Sequence, residues 1–252
     1  MINSIENLFN FLEDTTILFS ICKNYNIQPL MADYLLKLKD YDIVIVCDDS
    51  GSMNTKVDDT DRTRWDELRE IVKVLIEIGV IFNSNGVDIY FLNRGKYPKN
   101  KDLKEVEQVF AESPNGYTPL TPILKEIFKS PLARRGRDKK LLVFVATDGE
   151  PTDEDGHPVI PELKRLMEET RDHETTYVSF LACMDEKDTI EYLSGWDRKM
   201  PNVDVTDDFK TEREKILGIQ GNDFPFTHGD YIVKALVGAI IPLLDRLNER
   251  KI

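Results

Sequence analysis

The stretch YDIVIVCDDSGSMNT, residues 41–55, sets an apolar run directly before a cluster of side-chain oxygens. Residues 41–47 are rich in β-branched side chains and barely alternate between polar and apolar, which is typical of a strand buried on both faces of a sheet. Asp48, Ser50 and Ser52 follow at once in the spacing D-x-S-x-S. The stretch therefore predicts a buried strand that ends in a loop of hard oxygen donors.

Three further apolar runs have the same character and predict three more strands, at residues 87–92, 141–147 and 176–183. Helical patterns separate the runs, so we expect an α/β fold with a doubly wound, mostly parallel, Rossmann-like sheet flanked by helices. The predicted helices lie near residues 64–81, 102–111, 119–129, 160–171, 187–195 and 229–248. Thr63 and Asp66 form a capping-box pattern at the start of the first of these helices. Its core-facing stripe should consist of Trp65, Leu68, Val72, Leu75 and Ile76.

Residues 1–40 predict a helical N-terminal extension that precedes a domain at residues 41–252. Apolar residues recur at helical spacing in the first part of the extension, at Ile5, Leu8, Phe9 and Leu12. A second short helix is expected from Leu30 to Leu38. The segment is too small to hold a core of its own, so we expect it to pack on the domain. A separate hairpin that binds a partner is the alternative.

The composition excludes some classes of function. The formal net charge is −13, whereas nucleic-acid binding requires a basic surface, so we expect no nucleic-acid partner. The longest apolar stretch, residues 235–244, is far shorter than a membrane span. The first residues lack the pattern of a signal peptide, and three scattered cysteines indicate reduced thiols. These features predict an intracellular, cytoplasmic protein.

Two later loops carry further oxygen donors. Thr118 lies in PNGYTPLTP, residues 114–122, just before a predicted helix, and Asp148 lies in TDGEPTDEDG, residues 147–156, just after a predicted strand. Because ligands of such sheets bind beyond the carboxyl ends of the strands, these loops and the first should converge. Hard oxygens suit Mg²⁺, with Mn²⁺ or Ca²⁺ as alternatives, and no histidine or cysteine is placed to favour zinc.

This set of residues resembles the metal-ion-dependent adhesion site (MIDAS) of von Willebrand factor A (vWA) domains. Asp48, Ser50 and Ser52 match the first motif of the family, Thr118 its threonine and Asp148 its final aspartate. The resemblance covers roughly residues 41–248, and the sequence DDSGSM before a long helix is similar to intracellular members.

The family resemblance implies roles for the matched residues. Ser50, Ser52 and Thr118 would be direct ligands of the ion, and Asp48 and Asp148 would bind directly or through water. It also implies a module that is not an enzyme and that binds a protein partner through an Asp or Glu of that partner.

Other interpretations remain open at this point. A haloacid-dehalogenase-like phosphotransferase or hydrolase needs a second aspartate where Ser50 stands, and neither a phosphate-binding loop nor a G-x-S-x-G motif occurs. A structural scaffold that holds a metal only for stability is a further alternative. Thr118 could instead cap a helix, Asp48, Ser50 and Ser52 could form a solvated turn, and Asp148 could be a turn residue before Gly149. The acids at 58–61 and 153–155 predict a solvated rim, and no spacing there matches a calcium loop.

Overall fold

The structure is a computed structural model that describes residues 15–57, 60–101, 103–134, 138–183, 192–193 and 195–251 of the 252-residue chain. The described strands are β1 (Tyr41–Cys47), β2 (Val87–Phe91), β3 (Gly95–Asn100), β4 (Lys140–Thr147), β5 (Thr176–Ala182) and β6 (Val203–Thr206). They form one sheet in the order β3-β2-β1-β4-β5-β6. All neighbours are parallel except β2 and β3, which confirms the predicted α/β fold with a mostly parallel sheet.

Helices flank this sheet. The described ones are α1 (15–24), α2 (Pro29–Leu35), α3 (Arg64–Phe82), α4 (Leu103–Phe110), α5 (Leu120–Lys129), α6 (Pro131–Arg134), α7 (Ile160–Arg165), α8 (Trp196–Lys199), α9 (Phe209–Gln220), α10 (His228–Val237) and α11 (Pro242–Asp245). Short 3₁₀ segments occur at Leu36–Asp40, Gly51–Asn54 and Arg246–Asn248, and a π-helical turn at Leu166–Thr170 extends α7. No described helix combines the length and the apolarity that crossing a membrane requires.

The central strands β1, β2, β4 and β5 are buried on both faces, as the lack of alternation in their sequences predicts, whereas the edge strand β3 is mostly exposed. Ile43 and Ile45 of β1 belong to a core shared with α1 to α4 and α10. Val44 and Val46 belong to a second core, on the other face, shared with α5 to α8. Polar groups can therefore reach solvent only where the strands end, which is where a site can form.

The capping box at the start of α3 is present. Asp66 N donates to Thr63 Oγ1 at 3.1 Å, and Thr63 N donates to Asp66 Oδ2 at 2.9 Å. The five residues of the predicted stripe on α3 are all buried. The cap fixes where the helix begins, so Arg64, its first residue, lies at the carboxyl edge of the sheet.

Several elements differ from the sequence prediction. The pattern did not predict β3, β6 or α9, because β3 is polar, β6 has only four residues and α9 lacks a strong apolar stripe. The single helix predicted at 229–248 is wrong. It is broken after α10, because Pro242 starts a new helix and holds Ile241 in an extended conformation. The helix predicted at 187–195 lies mainly outside the described residues.

The described part of the N-terminal extension, residues 15–40, packs on α10 and α3. Gln28 N donates to Asp230 Oδ1 at 2.7 Å, and Tyr25 Oη donates to Glu77 Oε1 at 2.9 Å. Met31 and Leu35 are buried in the core on that face of the sheet. Leu30 and Leu36 are exposed instead, so the second helix has an exposed and a buried side. Residues 1–14, which include the four predicted apolar positions, lie outside the described residues.

Candidate metal centre

The register of the sheet brings the first and third predicted loops together. Cys47 pairs with Ala146 in the parallel ladder between β1 and β4, so both strands end at the same level. Asp48 N continues the ladder by donating to Ala146 O at 2.9 Å. Asp48 and Asp148 therefore leave adjacent strands on the same edge, as predicted from the pattern of strand ends.

Backbone hydrogen bonds attach the middle loop to the first one. Gly51 N donates to Gly116 O at 3.0 Å, and Asn115 N donates to Asp49 O at 2.8 Å. Gly116 has a φ of 104°, and a side chain there would collide with the amide of Asn93. A glycine is thus required for the loop to approach the end of β1 so closely.

Three of the five predicted ligands form a continuous chain of polar contacts. Ser50 Oγ lies 3.0 Å from Ser52 Oγ, and Ser52 Oγ donates to Asp148 Oδ1 at 2.7 Å. Ser50 and Asp148 are buried, whereas Ser52 is exposed. This series of polar contacts therefore begins inside the protein and reaches the surface at Ser52.

Asp48 is fully buried, and hydrogen bonds hold both of its carboxylate oxygens. Its Oδ1 accepts from Ser50 N at 2.9 Å, and its Oδ2 accepts from Thr147 Oγ1 at 2.6 Å. Burial, and secondly the charge of Asp148, raise the pKa of Asp48 to about 6, against the lowering effect of its hydrogen bonds. Two carboxylates thus approach each other out of water, which favours a cation between them.

Thr118 is placed by a reciprocal pair of bonds with Thr152. Thr118 N donates to Thr152 Oγ1 at 3.0 Å, and Thr152 N donates to Thr118 O at 2.9 Å. Its hydroxyl faces Gly149, where an added Cβ would stand 3.7 Å from Thr118 Oγ1. Helix α5 begins after Pro119 without a side-chain cap, so Thr118 does not cap it. Thr118 is buried and lies beside the Asp148 loop.

Two arginines that sequence analysis did not identify also reach this edge. Arg64 Nη1 donates to Asp148 Oδ2 at 2.9 Å, and Arg94 Nε lies 3.6 Å from Asp49 Oδ2. Asp49 also accepts from the backbone N and the side-chain Nδ2 of Asn93. The Asn93 and Arg64 contacts join residues 44 and 84 positions apart in the chain, so no local pattern could have indicated them. Asp49 therefore holds the Asn93 and Arg94 segment against the first loop, and its carboxylate is engaged in that contact.

The chemistry of the donor set fits a hard divalent cation. Carboxylates and hydroxyls are the ligands that Mg²⁺ and Ca²⁺ prefer. Burial raises the pKa of the nearby Cys47 and Cys183 thiols well above the usual value. Arg64 engages one oxygen of Asp148, and the other oxygen faces Ser52.

A second group of potential ligands lies outside this centre. Ligand atoms of Asp153, Asp155 and His157 come within 4.8 Å of one another, and all three residues are exposed. Asp153 accepts hydrogen bonds from the backbone N–H groups of Asp155 and His157, so the group already forms a closed turn. It belongs to the acidic rim.

Comparison of the chain with protein-family models finds no match, and comparison with curated proteins finds none either. The resemblance to vWA domains therefore depends on the order and spacing of the five residues and stays a prediction. The observed fold class agrees with it, but many unrelated functions share that class.

Proposed function

We propose that the chain is a vWA-type module that binds a protein partner through a metal ion. Asp48, Ser50, Ser52, Thr118 and Asp148 would hold Mg²⁺, with Mn²⁺ or Ca²⁺ as alternatives. The observation that carries the proposal is the chain of contacts from Ser50 through Ser52 to Asp148, which joins two of the three loops through oxygen atoms alone.

Each residue has a separate task in this proposal. Asp48 orients the first loop by accepting from Ser50 N and from Thr147. Arg64 holds one oxygen of Asp148 and leaves the other directed at Ser52. The exposed position of Ser52 opens the centre to solvent, where a partner can reach it. When bound, the ion would supply a positive charge, poorly neutralised by hydroxyl ligands, that attracts a carboxylate.

The charge of the chain sets a condition on the partner. A net charge of −13 and the acidic rim repel an acidic surface, but exposed charges are screened over about 8 Å at physiological salt. A carboxylate at the ion is not screened in this way. The partner should therefore present one Asp or Glu among neutral or basic residues.

The metal itself is tested first, by calorimetry and thermal unfolding. The wild-type protein should bind Mg²⁺ at one site, and saturation at about a hundred times Kd should add about 2.7 kcal/mol to its free energy of unfolding. The double change Ser50→Ala and Ser52→Ala should abolish this gain. Ser84→Ala with Ser113→Ala, both in exposed positions, is the matched control and should keep it. Equal responses in all three proteins would contradict the site.

The partner is tested with and without a chelator. Affinity capture from a cell extract should yield a partner that is lost with EDTA and with Thr118→Ala. Changing one acid of that partner to its amide should also abolish binding. A metal that binds and stabilises without any chelator-sensitive partner would favour the scaffold alternative instead.

A further inference from the structure

A cavity of about 600 Å³ opens beside the metal centre, on the α3 face of the sheet. Its walls include the last residues of β5, the segment at residues 55–57 and the first turns of three helices. The first residues of α3, α9 and α10, namely Arg64, Phe209 and His228, all line it. A volume of this size is typical of sites for small organic molecules.

Four cations line the cavity in a strongly acidic protein, namely Lys56, Arg62, Arg64 and Lys210. The acids among its described lining residues are Glu67 and Asp208, and Asp61 and Asp148 pair with Lys56 and Arg64 from outside the lining. Asp208 is engaged at the start of α9, where its Oδ1 accepts from Thr211 N at 2.9 Å. The described lining residues therefore include more cations than acids, unlike the chain as a whole.

Two of these cations are available to a ligand. Arg62 and Lys210 are exposed, and within the described part of the chain neither has a carboxylate at ion-pair distance. Lys56 pairs with Asp61, but that pair is exposed and such pairs contribute little energy.

The floor of the cavity is apolar. Ile71, Leu181 and Tyr231 line it with little exposed area, and Leu68 and Ala182 are fully buried there. His228 lies 5.0 Å from the ring of Phe209 and 5.7 Å from that of Tyr231. Desolvation of its ring, and secondly the charge of Arg62, lower the pKa of His228, although part of the residue is exposed to solvent.

We propose that this cavity binds a small organic anion, with an apolar or aromatic body on the floor and a phosphate, sulfate or carboxylate group at Arg62 and Lys210. A ligand with both parts is required to explain both features, since an apolar floor attracts no ion and exposed cations do not bury an apolar body. The proposal goes beyond the metal centre and does not depend on it.

The test is an NMR titration of the full chain after treatment with EDTA and dialysis into metal-free buffer without EDTA, which keeps both metal and a competing carboxylate out of the sample. Three probes separate the parts of the ligand: phenyl phosphate, inorganic phosphate and benzyl alcohol. Phenyl phosphate should shift the amide signals of Ala182, Phe209 and His228. It should bind at least about tenfold more tightly than either other probe, because only it engages both the floor and the cations.

Charge variants show whether the two cations act locally. Arg62→Glu with Lys210→Glu should weaken phenyl phosphate binding at least about tenfold. Lys125→Glu with Lys129→Glu makes the same change in net charge on exposed positions of α5, across the sheet, and should leave the affinity unchanged. Thermal unfolding of each variant checks that it is folded.

Four results would overturn the proposal: no binding, shifts that map elsewhere, equal affinities for the three probes, or equal losses in the two double variants. The map of shifts on the wild-type protein decides the location even if a variant does not fold.

Discussion

Buried carboxylates occur in two regions of this molecule, and the cation of each region is placed differently. One region is the candidate metal centre, which consists of Asp48, Ser50, Ser52, Thr118 and Asp148. The other, called the Lys234 cluster, consists of Asp204, Thr206, Glu212 and Lys234 between β6, α9 and α10, all buried. Lys234 Nζ lies 3.1 Å from Glu212 Oε1 and donates to Thr206 Oγ1 at 3.3 Å. Thr206 Oγ1 in turn donates to Asp204 Oδ2 at 3.0 Å.

The difference lies in where the positive charge is placed. Lys234 contacts Glu212 directly and reaches Asp204 through Thr206, although Asp204 Oδ1 and Glu212 Oε2 have no hydrogen-bond partner among the described residues. In the candidate metal centre Arg64 forms an ion pair with Asp148, whereas the described hydrogen bonds to Asp48 come only from hydroxyls and a backbone N–H. Buried charge that the chain leaves unbalanced is expensive, so it is expected where an ion from outside completes the site.

The largest effect is expected from removing the internal cation. Lys234→Met leaves Glu212 and Asp204 buried without a counter-charge, and should lower the free energy of unfolding by about 3–5 kcal/mol. The corresponding fall in Tm is about 2–4 °C for each kcal/mol. Lys125→Met, at an exposed position, is the control. A fall no larger than that of the control would show that the cluster is not an essential ion pair.

A substitution in the candidate metal centre is expected to raise the free energy of unfolding, where Lys234→Met lowers it. Asp48→Asn removes an unbalanced charge and keeps groups that can pair with Ser50 N and the Thr147 hydroxyl. In EDTA it should raise the free energy of unfolding at pH 7 by on the order of 2–3 kcal/mol. It should also abolish the stabilisation by Mg²⁺. Denaturant unfolding with and without the metal measures both effects.

The gain from Asp48→Asn should depend on pH. The pKa of Asp48 is raised from 3.8 to about 6 in the folded protein, so its charge destabilises the fold fully above pH 6. Below pH 3.8 the group is protonated in both states and contributes nothing. The difference between variant and wild type should therefore shrink as the pH falls from about 6 to about 4. A difference that stays constant over this range would show that the gain does not come from the charge of Asp48.

The smallest effect concerns Arg64, the cation that the centre already has. Arg64→Gln should lower the stability of the metal-free protein by about 1–2 kcal/mol, because Asp148 loses a charged hydrogen bond. It should increase the stabilisation by Mg²⁺, since the ion would then neutralise Asp148 alone. Arg62→Gln, at an exposed neighbouring position, is the control for both measurements. A smaller response to Mg²⁺ in Arg64→Gln would mean that Arg64 is needed to orient Asp148.

The sequence predicts best the elements that depend on local pattern. Residues 41–47 and 141–147 are strands because runs of this kind fit only a sheet covered on both faces. The capping box specifies where α3 begins. Strand β3 depends on pairing with β2, which no property of Gly95–Asn100 indicates. The break in the last helix had a local signal, Pro242, and the apolar run around it hid that signal.

The candidate site likewise has residues whose place local sequence predicts and residues whose contacts depend on the tertiary fold. The order of Asp48, Ser50 and Ser52 after a strand predicts their place, and the strand ends predict the place of Asp148. The ion-pair partner of Asp148, Arg64, could not be predicted, because its contact depends on how α3 crosses the sheet edge.

The edge strand β3 has a consequence for association between copies of the chain. An edge strand exposes unpaired backbone groups, and a second molecule can extend the sheet there to begin aggregation. Pro98 lacks the N–H that such an added strand would need, and Lys99 has a φ of 55° that interrupts the extended backbone. The opposite edge, β6, offers only Val203–Thr206. The sheet thus ends on both sides in strands that are poor templates for intermolecular pairing.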